Sequence, residues 1–242
     1  MPNNIEHTYG DRFTELLPKT VSDIEKEIAL LSNPILNGTV ADRQKLSYLL
    51  DNEAELKRYI NERYGVTYTE STTGAYADSV AMNKSIFEGE SIAFGFRQDQ
   101  LDVMSKLKKN NVLLYQLEAS KSANVIFDSM ISWAYTGNAS TLAPFEALVG
   151  KMGASKYGST IINTQISAFN RSVTAMAAEE AGVEKFKYVG PKPDRPFCDP
   201  RVGKTFTKDE ISKMDNGQTS DVMLTAGGYN CRHRWVPVQD EG

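Results

Sequence analysis

Apolar residues recur at helical spacing through the first three quarters of the chain. In "TVSDIEKEIALLSNP" the positions Val21, Ile24, Ile28 and Leu31 fall on one helix face, and Pro34 reads as the stop after the last turn. A second helix is predicted from Thr39 or Asp42 to Tyr64, with Leu46, Leu49, Leu50, Leu56 and Ile60 inward and Gly65 at its end. The two helices would pair as an antiparallel hairpin. Residues Val66 to Gly95 break the pattern. "VTYTESTTGAYADS" reads as a surface connection, and "SIFEGESIAFGF" as a glycine-interrupted helix or short extended pieces, together suited to docking on a partner.

Helical periodicity returns at Gln98. Leu101, Met104, Leu107, Val112, Leu113, Leu117, Val125, Ile126, Met130, Ile131 and Trp133 predict a helical hairpin, or one long helix broken near Lys109 to Asn111. "YTGNAST" reads as a turn, with Pro144 starting a short helix. The clearest helix runs from about Ser155 to Ala181. Tyr157, Ile161, Ile162, Ile166, Phe169, Val173, Met176 and Ala177 mark its buried side, and Gly182 stands where a left-handed cap belongs. Its middle is unusually polar, with Asn163, Thr164, Gln165, Asn170 and Arg171.

Beyond Gly182 the period shortens to two. "EKFKYVG" alternates Lys185 and Lys187 with Phe186 and Tyr188 as a half-buried strand, and "GPKPDRPFCDPRVG" is a turn-rich loop. Thr207 and Glu210 have capping-box spacing, predicting a short helix over Lys208 to Met214. In "CRHRWVPV" the alternation puts Cys231, His233 and Trp235 on one face and Arg232, Arg234 and Val236 on the other. The fold class expected is therefore α+β: a mostly helical N-terminal region, then a small C-terminal α+β module. The division is a helical arm and docking region at 1–97, a helical core at 98–182 and the module at 183–242.

Composition narrows the function classes. A net charge of −4 gives no overall attraction for nucleic acid or anionic lipid, and the residues from Val183 onward hold ten Lys/Arg against nine Asp/Glu. No apolar run approaches the roughly 20 residues that span a bilayer, and the first residues lack the basic start and apolar stretch of a signal peptide. The expectation is a protein that stays in the cytoplasm where it is made, with no membrane partner. His7, in an N-terminus expected to be flexible, reads as incidental.

Two cysteines are too few for a disulfide framework. Three readings of the chemistry stay open. Cys198, Cys231 and His233, with Asp194 or Asp199, form a candidate zinc set. Alternatively, the same residues with Trp235 form a buried, uncharged cluster. A nucleophilic Cys198 with His233 as base would make a hydrolase or nuclease, but no orienting third group or oxyanion hole is legible. Asp194 and Arg195, between Pro193 and Pro196, read as a clamp tying the loop to the terminal strand. Arg232 and Arg234 form a basic edge, either a guard against strand pairing or a candidate nucleic-acid contact.

Taken together, "TIINTQISAFNRSVTAMAAEEAGVEKFKYVGPKPDRPFCDPRVGKTFTKDEI" and "GGYNCRHRWVPV" set several short motifs in one order. A polar-centred helix carrying Thr164 and Asn170 ends at Ala181 and Gly182. A strand with Tyr188 leads to "DRPFC", then come Gly203 and Phe206, a short helix and "NCRHRWVPV". From Ser155 to Val238 this resembles the Mu protein F-like head morphogenesis proteins of tailed bacteriophages and prophages. The resemblance implies a non-enzymatic minor capsid protein, in low copy inside the head of the virion after assembly in the host cytoplasm. Its implied partners are the portal, scaffold or major capsid protein, and packaged DNA, with which it would be ejected. Many family members end in a Cys-Arg-Cys pattern; here Cys231-Arg232-His233 keeps a ligand type at the last position. The implied role for Cys231, His233 and Trp235 is to lock the last strand onto the "DRPFC" loop, with or without zinc.

Overall fold

The helical periodicity of the first three quarters becomes long helices, joined near the C-terminus by a small three-stranded antiparallel sheet, so the α+β class holds. The computed structural model describes residues 5–136, 148–191 and 195–239. Helix α1 spans Ile5–Leu36, α2 Lys45–Asp51, α3 Glu53–Thr72, α4 Ala75–Gly89 and α5 Gln98–Thr136. After them come α6 (Gly153–Lys156), α7 (Gly158–Glu180), β1 (Lys185–Val189), β2 (Thr205–Thr207), α8 (Lys208–Ser212), α9 (Val222–Thr225) and β3 (Arg234–Val238). Among the described residues no helix is long and apolar enough to cross a membrane. The start of the "YTGNAST" turn ends α5; the rest of it and the helix expected at Pro144 lie outside the described residues.

Several helix limits differ from the sequence reading, each for a physical reason. The N-terminus expected to be flexible is already helical at Ile5, and Pro34 sits inside the last turn of α1. The helix predicted up to Tyr64 is divided at Asn52, whose side-chain amide donates to Tyr48 O at 2.8 Å. Past Gly65 the chain stays helical through the segment read as a connection. There Thr67, Thr69 and Ser79 each donate to the carbonyl four residues back, so hydroxyls that favour turns elsewhere are satisfied within α3 and α4. Gly74, at φ +86°, separates those two helices. No break occurs near Lys109 to Asn111, because the Asn111 carbonyl stays in α5 and also accepts from Gln165 Nε2 at 3.0 Å. Tyr157, expected inside, is half exposed at the junction of α6 and α7.

Contacts divide the chain into two compact units. The first comprises Met1–Gly10, Thr72–Asn111 and Thr160–Gly242, and the second Asp11–Ser71 and Val112–Ser159. This differs from the linear division at 97 and 182. Composition marks where helical patterning gives way to strands, whereas packing depends on which stretches of the long helices are apolar. The second unit is built on Phe13, Tyr68 and Tyr115; the two tyrosine rings stack at 4.7 Å and Phe13 meets Tyr115 edge-on. Two pairs of its hydroxyls meet inside it, Tyr64 with Ser155 at 2.6 Å and Thr20 with Thr67.

The first unit carries the sheet. β1 is its central strand, antiparallel to β2 and β3, with Phe186 opposite Phe206 and Tyr188 opposite Trp235. Lys185 and Lys187 face out while Phe186 and Tyr188 are buried, as the period of two requires. The capping box at Thr207 and Glu210 is formed, with both reciprocal bonds, and starts α8. Against the sheet lie Ala177 and Ala178 of α7, Phe87 of α4, Ile211 and Val222.

α7 closes in a Schellman arrangement. Gly182 has φ +68°, its N–H donates to Glu179 O, and Val183 N–H donates to Ala178 O at 2.8 Å. A Cβ built on Gly182 meets nothing within 4 Å, so a substitution there is penalised by backbone conformation alone. Gly182→Ala is expected to lower stability by about 1 kcal/mol in urea unfolding, and Gly182→Asn by less, since asparagine tolerates the left-handed region. Equal losses for the two variants would contradict this account of the cap.

Candidate functional site

Cys198, Cys231, His233 and Trp235, among the residues that the sequence singled out, converge at the end of the sheet in the first unit. β1 delivers Tyr188. The following loop winds through tight turns, with Cys198 N–H and Asp199 N–H both donating to Arg195 O at 3.0 Å, and this turns Cys198 inward. Gly203 N–H to Tyr188 O at 2.8 Å and Tyr188 N–H to Lys204 O at 2.9 Å fasten the returning chain to β1.

The other half of the site comes from the segment after α9, a helix capped by Asp221 accepting from Leu224 N–H. Ala226, Gly228 and Asn230 all take positive φ, and this succession reverses the chain so that Cys231 and His233 return to the sheet. Asn230 is held in that conformation from two sides. Its N–H donates to Thr164 Oγ1 at 3.0 Å, and its side-chain oxygen accepts from Asn163 Nδ2 at 3.3 Å. Gly227 must lack a side chain, because a Cβ there would run into Cys198 Sγ and come within 3.1 Å of Cys231 Sγ.

The result is a closed cluster in which Cys198, Cys231 and His233 are all buried and the cysteines are unbridged. Cys198 Sγ lies 3.9 Å from Cys231 Sγ, and Cys231 Sγ lies 3.6 Å from His233 Nδ1. Tyr188 Oη sits 3.3 Å from Cys198 Sγ and 3.7 Å from Cys231 Sγ. The Tyr188 ring stacks on His233 at 5.1 Å and packs on Trp235 at 4.5 Å. His233 Nε2 is 2.9 Å from Pro191 O, and Trp235 Nε1 donates to Val222 O at 3.2 Å.

Beneath the cluster lies a buried cation. The Arg171 guanidinium donates through Nε and Nη2 to His233 O at 2.9 and 2.7 Å, through Nη2 to Cys231 O at 2.7 Å and through Nη1 to Leu224 O at 3.1 Å. Among the described residues it has carbonyl partners and no ion pair. The cluster is electrically uneven as a result. A hydrogen bond from Cys198 pushes the Cys231 thiol well below the usual range, helped by His233 and the positive charge of Arg171 and opposed by burial. That same bond, with burial, pushes Cys198 up. Burial first, and then the charge on Cys231, push the Tyr188 phenol up.

The remaining expected residues divide. Arg195 donates to Tyr229 O at 2.8 Å, tying the "DRPFC" loop to the segment before β3, while Asp194, its expected clamp partner, lies outside the described residues. Asp199 is exposed in the turn that carries Cys198 and is not in the cluster. Trp235 belongs to the core beside Tyr188. Arg232 is exposed and Arg234 partly buried with Nη1 3.3 Å from Met82 Sδ, and the two alternate with the buried Cys231, His233 and Trp235. Arg171 and Tyr188 are the site residues that pattern reading passed over. The signal for Arg171 was a permanent charge among Phe169, Val173 and Ala177, in a helix stretch otherwise suited to burial.

Comparison with protein-family models, curated proteins and solved structures gives no match to this chain.

Arg171→Met removes the buried charge and leaves three carbonyls short of a donor, which is expected to cost about 3–5 kcal/mol. Arg171→Lys keeps the charge but cannot fork across those carbonyls and should cost roughly half as much. Urea unfolding of both variants measures this, and unchanged midpoints would contradict the role given to Arg171.

Proposed function

We propose that this protein is a minor head protein of a tailed bacteriophage, resident inside the head and associated with the portal. In this reading it acts in head morphogenesis and in DNA packaging or ejection. The observation that carries the reading is that the motifs behind the family resemblance meet in space. Tyr188 of the strand, Cys198 of "DRPFC", Phe206, and Cys231, His233 and Trp235 of "NCRHRWVPV" pack into one core, and Thr164 of the polar-centred helix accepts from Asn230 N–H in that last motif.

A buried lock suits a chain that travels in a particle and must hold its fold without turning over substrate. The alternative, a small nuclease or hydrolase using the Cys198/His233 region, has less support. Cys198 has no exposed surface, and its bond with Cys231 and its burial push the thiol up. Leu113, Leu114 and Leu117 on α5 are 61%, 49% and 55% exposed, an apolar patch of the kind another chain covers, and this reading assigns it to the portal. Scaffold or major capsid protein are further contacts, and Arg232 is left as the exposed arginine toward packaged DNA.

Mass spectrometry of purified, salt-washed particles, with copies of this chain counted against portal subunits, tests the proposal. A fixed low ratio is the expected result, and absence of the chain from washed particles would overturn it.

A further inference from the structure

The three side chains at the centre of the cluster have the spacing of metal ligands. Zinc binds thiolate sulfur at about 2.3 Å and imidazole nitrogen at about 2.0–2.1 Å in tetrahedral array, so two sulfurs on one ion stand about 3.8 Å apart and sulfur and nitrogen about 3.5 Å. In this protein the sulfurs are 3.9 Å apart, Cys231 Sγ is 3.6 Å from His233 Nδ1, and the three atoms all lie within 4.8 Å of one another. Sulfur atoms in van der Waals contact can reach similar distances, so a second feature has to separate packing from coordination.

That feature is the orientation of His233. The Pro191 carbonyl can only accept, so the contact at 2.9 Å takes a proton on Nε2, and in the neutral imidazole, the form that binds metal, this leaves the lone pair of Nδ1 facing Cys231. Metal-binding histidines are fixed in this way, with the outer nitrogen tied to a carbonyl or carboxylate. Cys231 is prepared as well. Gly227 N–H donates to its sulfur at 3.2 Å, while the Arg171 guanidinium holds the carbonyls of both Cys231 and His233 and so fixes their backbones relative to each other. The absence of a Cβ at Gly227 leaves room for both sulfurs.

We propose that Cys198 Sγ, Cys231 Sγ and His233 Nδ1 bind a single zinc-class divalent ion in a buried, structural site, beside which the Tyr188 hydroxyl lies 3.3 Å from Cys198 Sγ and 3.7 Å from Cys231 Sγ. Both sulfurs bind as thiolates, so their thiol protons pass to solvent as the two metal–sulfur bonds form. Two soft sulfurs and one imidazole select zinc over magnesium or calcium. Three protein ligands fill three of the four tetrahedral positions, and their burial keeps a substrate from the fourth, so the ion fastens the "DRPFC" loop to the terminal segment. The site stands on its own geometry and is independent of the head-protein reading.

The test uses the full chain, reduced and stripped of metal by chelator, titrated with cobalt(II) alone and then with zinc. The expected result is one cobalt per chain with intense thiolate-to-cobalt absorption and the visible bands of a tetrahedral site, displaced by one zinc, and a melting temperature that rises on zinc addition. Cys198→Ser and His233→Ala should weaken zinc binding about tenfold or more each. Where a variant fails to fold, the unmutated protein still answers: zinc should slow alkylation of both thiols, with excess magnesium giving no protection. Absence of thiolate-to-cobalt absorption in the folded, reduced protein would overturn the proposal. So would alkylation rates indifferent to zinc, or a folded Cys198→Ser variant with undiminished affinity.

Discussion

Taking the Arg171 guanidinium out of water costs several kcal/mol unless its donors find acceptors, and those it finds are the carbonyls of Leu224, Cys231 and His233. The acceptors belong to the end of α9, the reversing turn and the approach to β3, so one side chain on α7 fixes the path of the whole terminal segment. The carbonyls can converge only if the chain doubles back, which is what the positive φ values at Ala226, Gly228 and Asn230 accomplish. With their carbonyls committed to Arg171, Cys231 and His233 have their side chains left to meet Tyr188 and Cys198. The chemistry of the cluster is thus a consequence of how a buried charge is satisfied.

The same logic accounts for the polar middle of α7. Asn163 and Thr164 hold Asn230 and with it the reversing turn, and Asn163 Oδ1 also accepts from Gly10 N–H at 3.1 Å. On another side of the helix, Asn170 Oδ1 accepts from Asn83 Nδ2 at 2.6 Å, and Thr174 donates to Asn83 Oδ1, joining α7 to α4. Asn163, Asn170 and Thr174 are buried and Thr164 partly so, and each is answered by a partner distant in sequence. Networks of this kind specify one arrangement, because a shifted neighbour would leave several groups unpaired at once.

What the sequence made legible was local. The strand "KFKYV", the capping box at Thr207 and Glu210, the cap at Gly182 and the shared burial of Cys231, His233 and Trp235 all rest on periods or spacings of a few residues, and all are found as read. The helix across 66–72 was hidden because Thr67 and Thr69 have turn-forming character that only their bonds to Arg63 and Gly65 neutralise. The roles of Arg171 and Tyr188 were hidden for a different reason. Arg171 is answered by carbonyls, which every residue possesses, so nothing in the residue types around positions 224 to 233 announces its partners. The proximity of Cys198 to Cys231 and His233 was a guess of chemistry from sequence, and it became geometry only through the turns on both sides of the cluster.

The central claim is that the Arg171-anchored cluster opens only when the first unit unfolds as a whole. The most direct measurement is the rate at which Cys198 and Cys231 react with a thiol reagent in the reduced protein across increasing urea below the unfolding transition. The account predicts that both rates climb together with a denaturant dependence equal to that of global unfolding of the unit. Rapid labelling of either cysteine without urea, or rates that do not change with it, would show local opening of the cluster and contradict the claim.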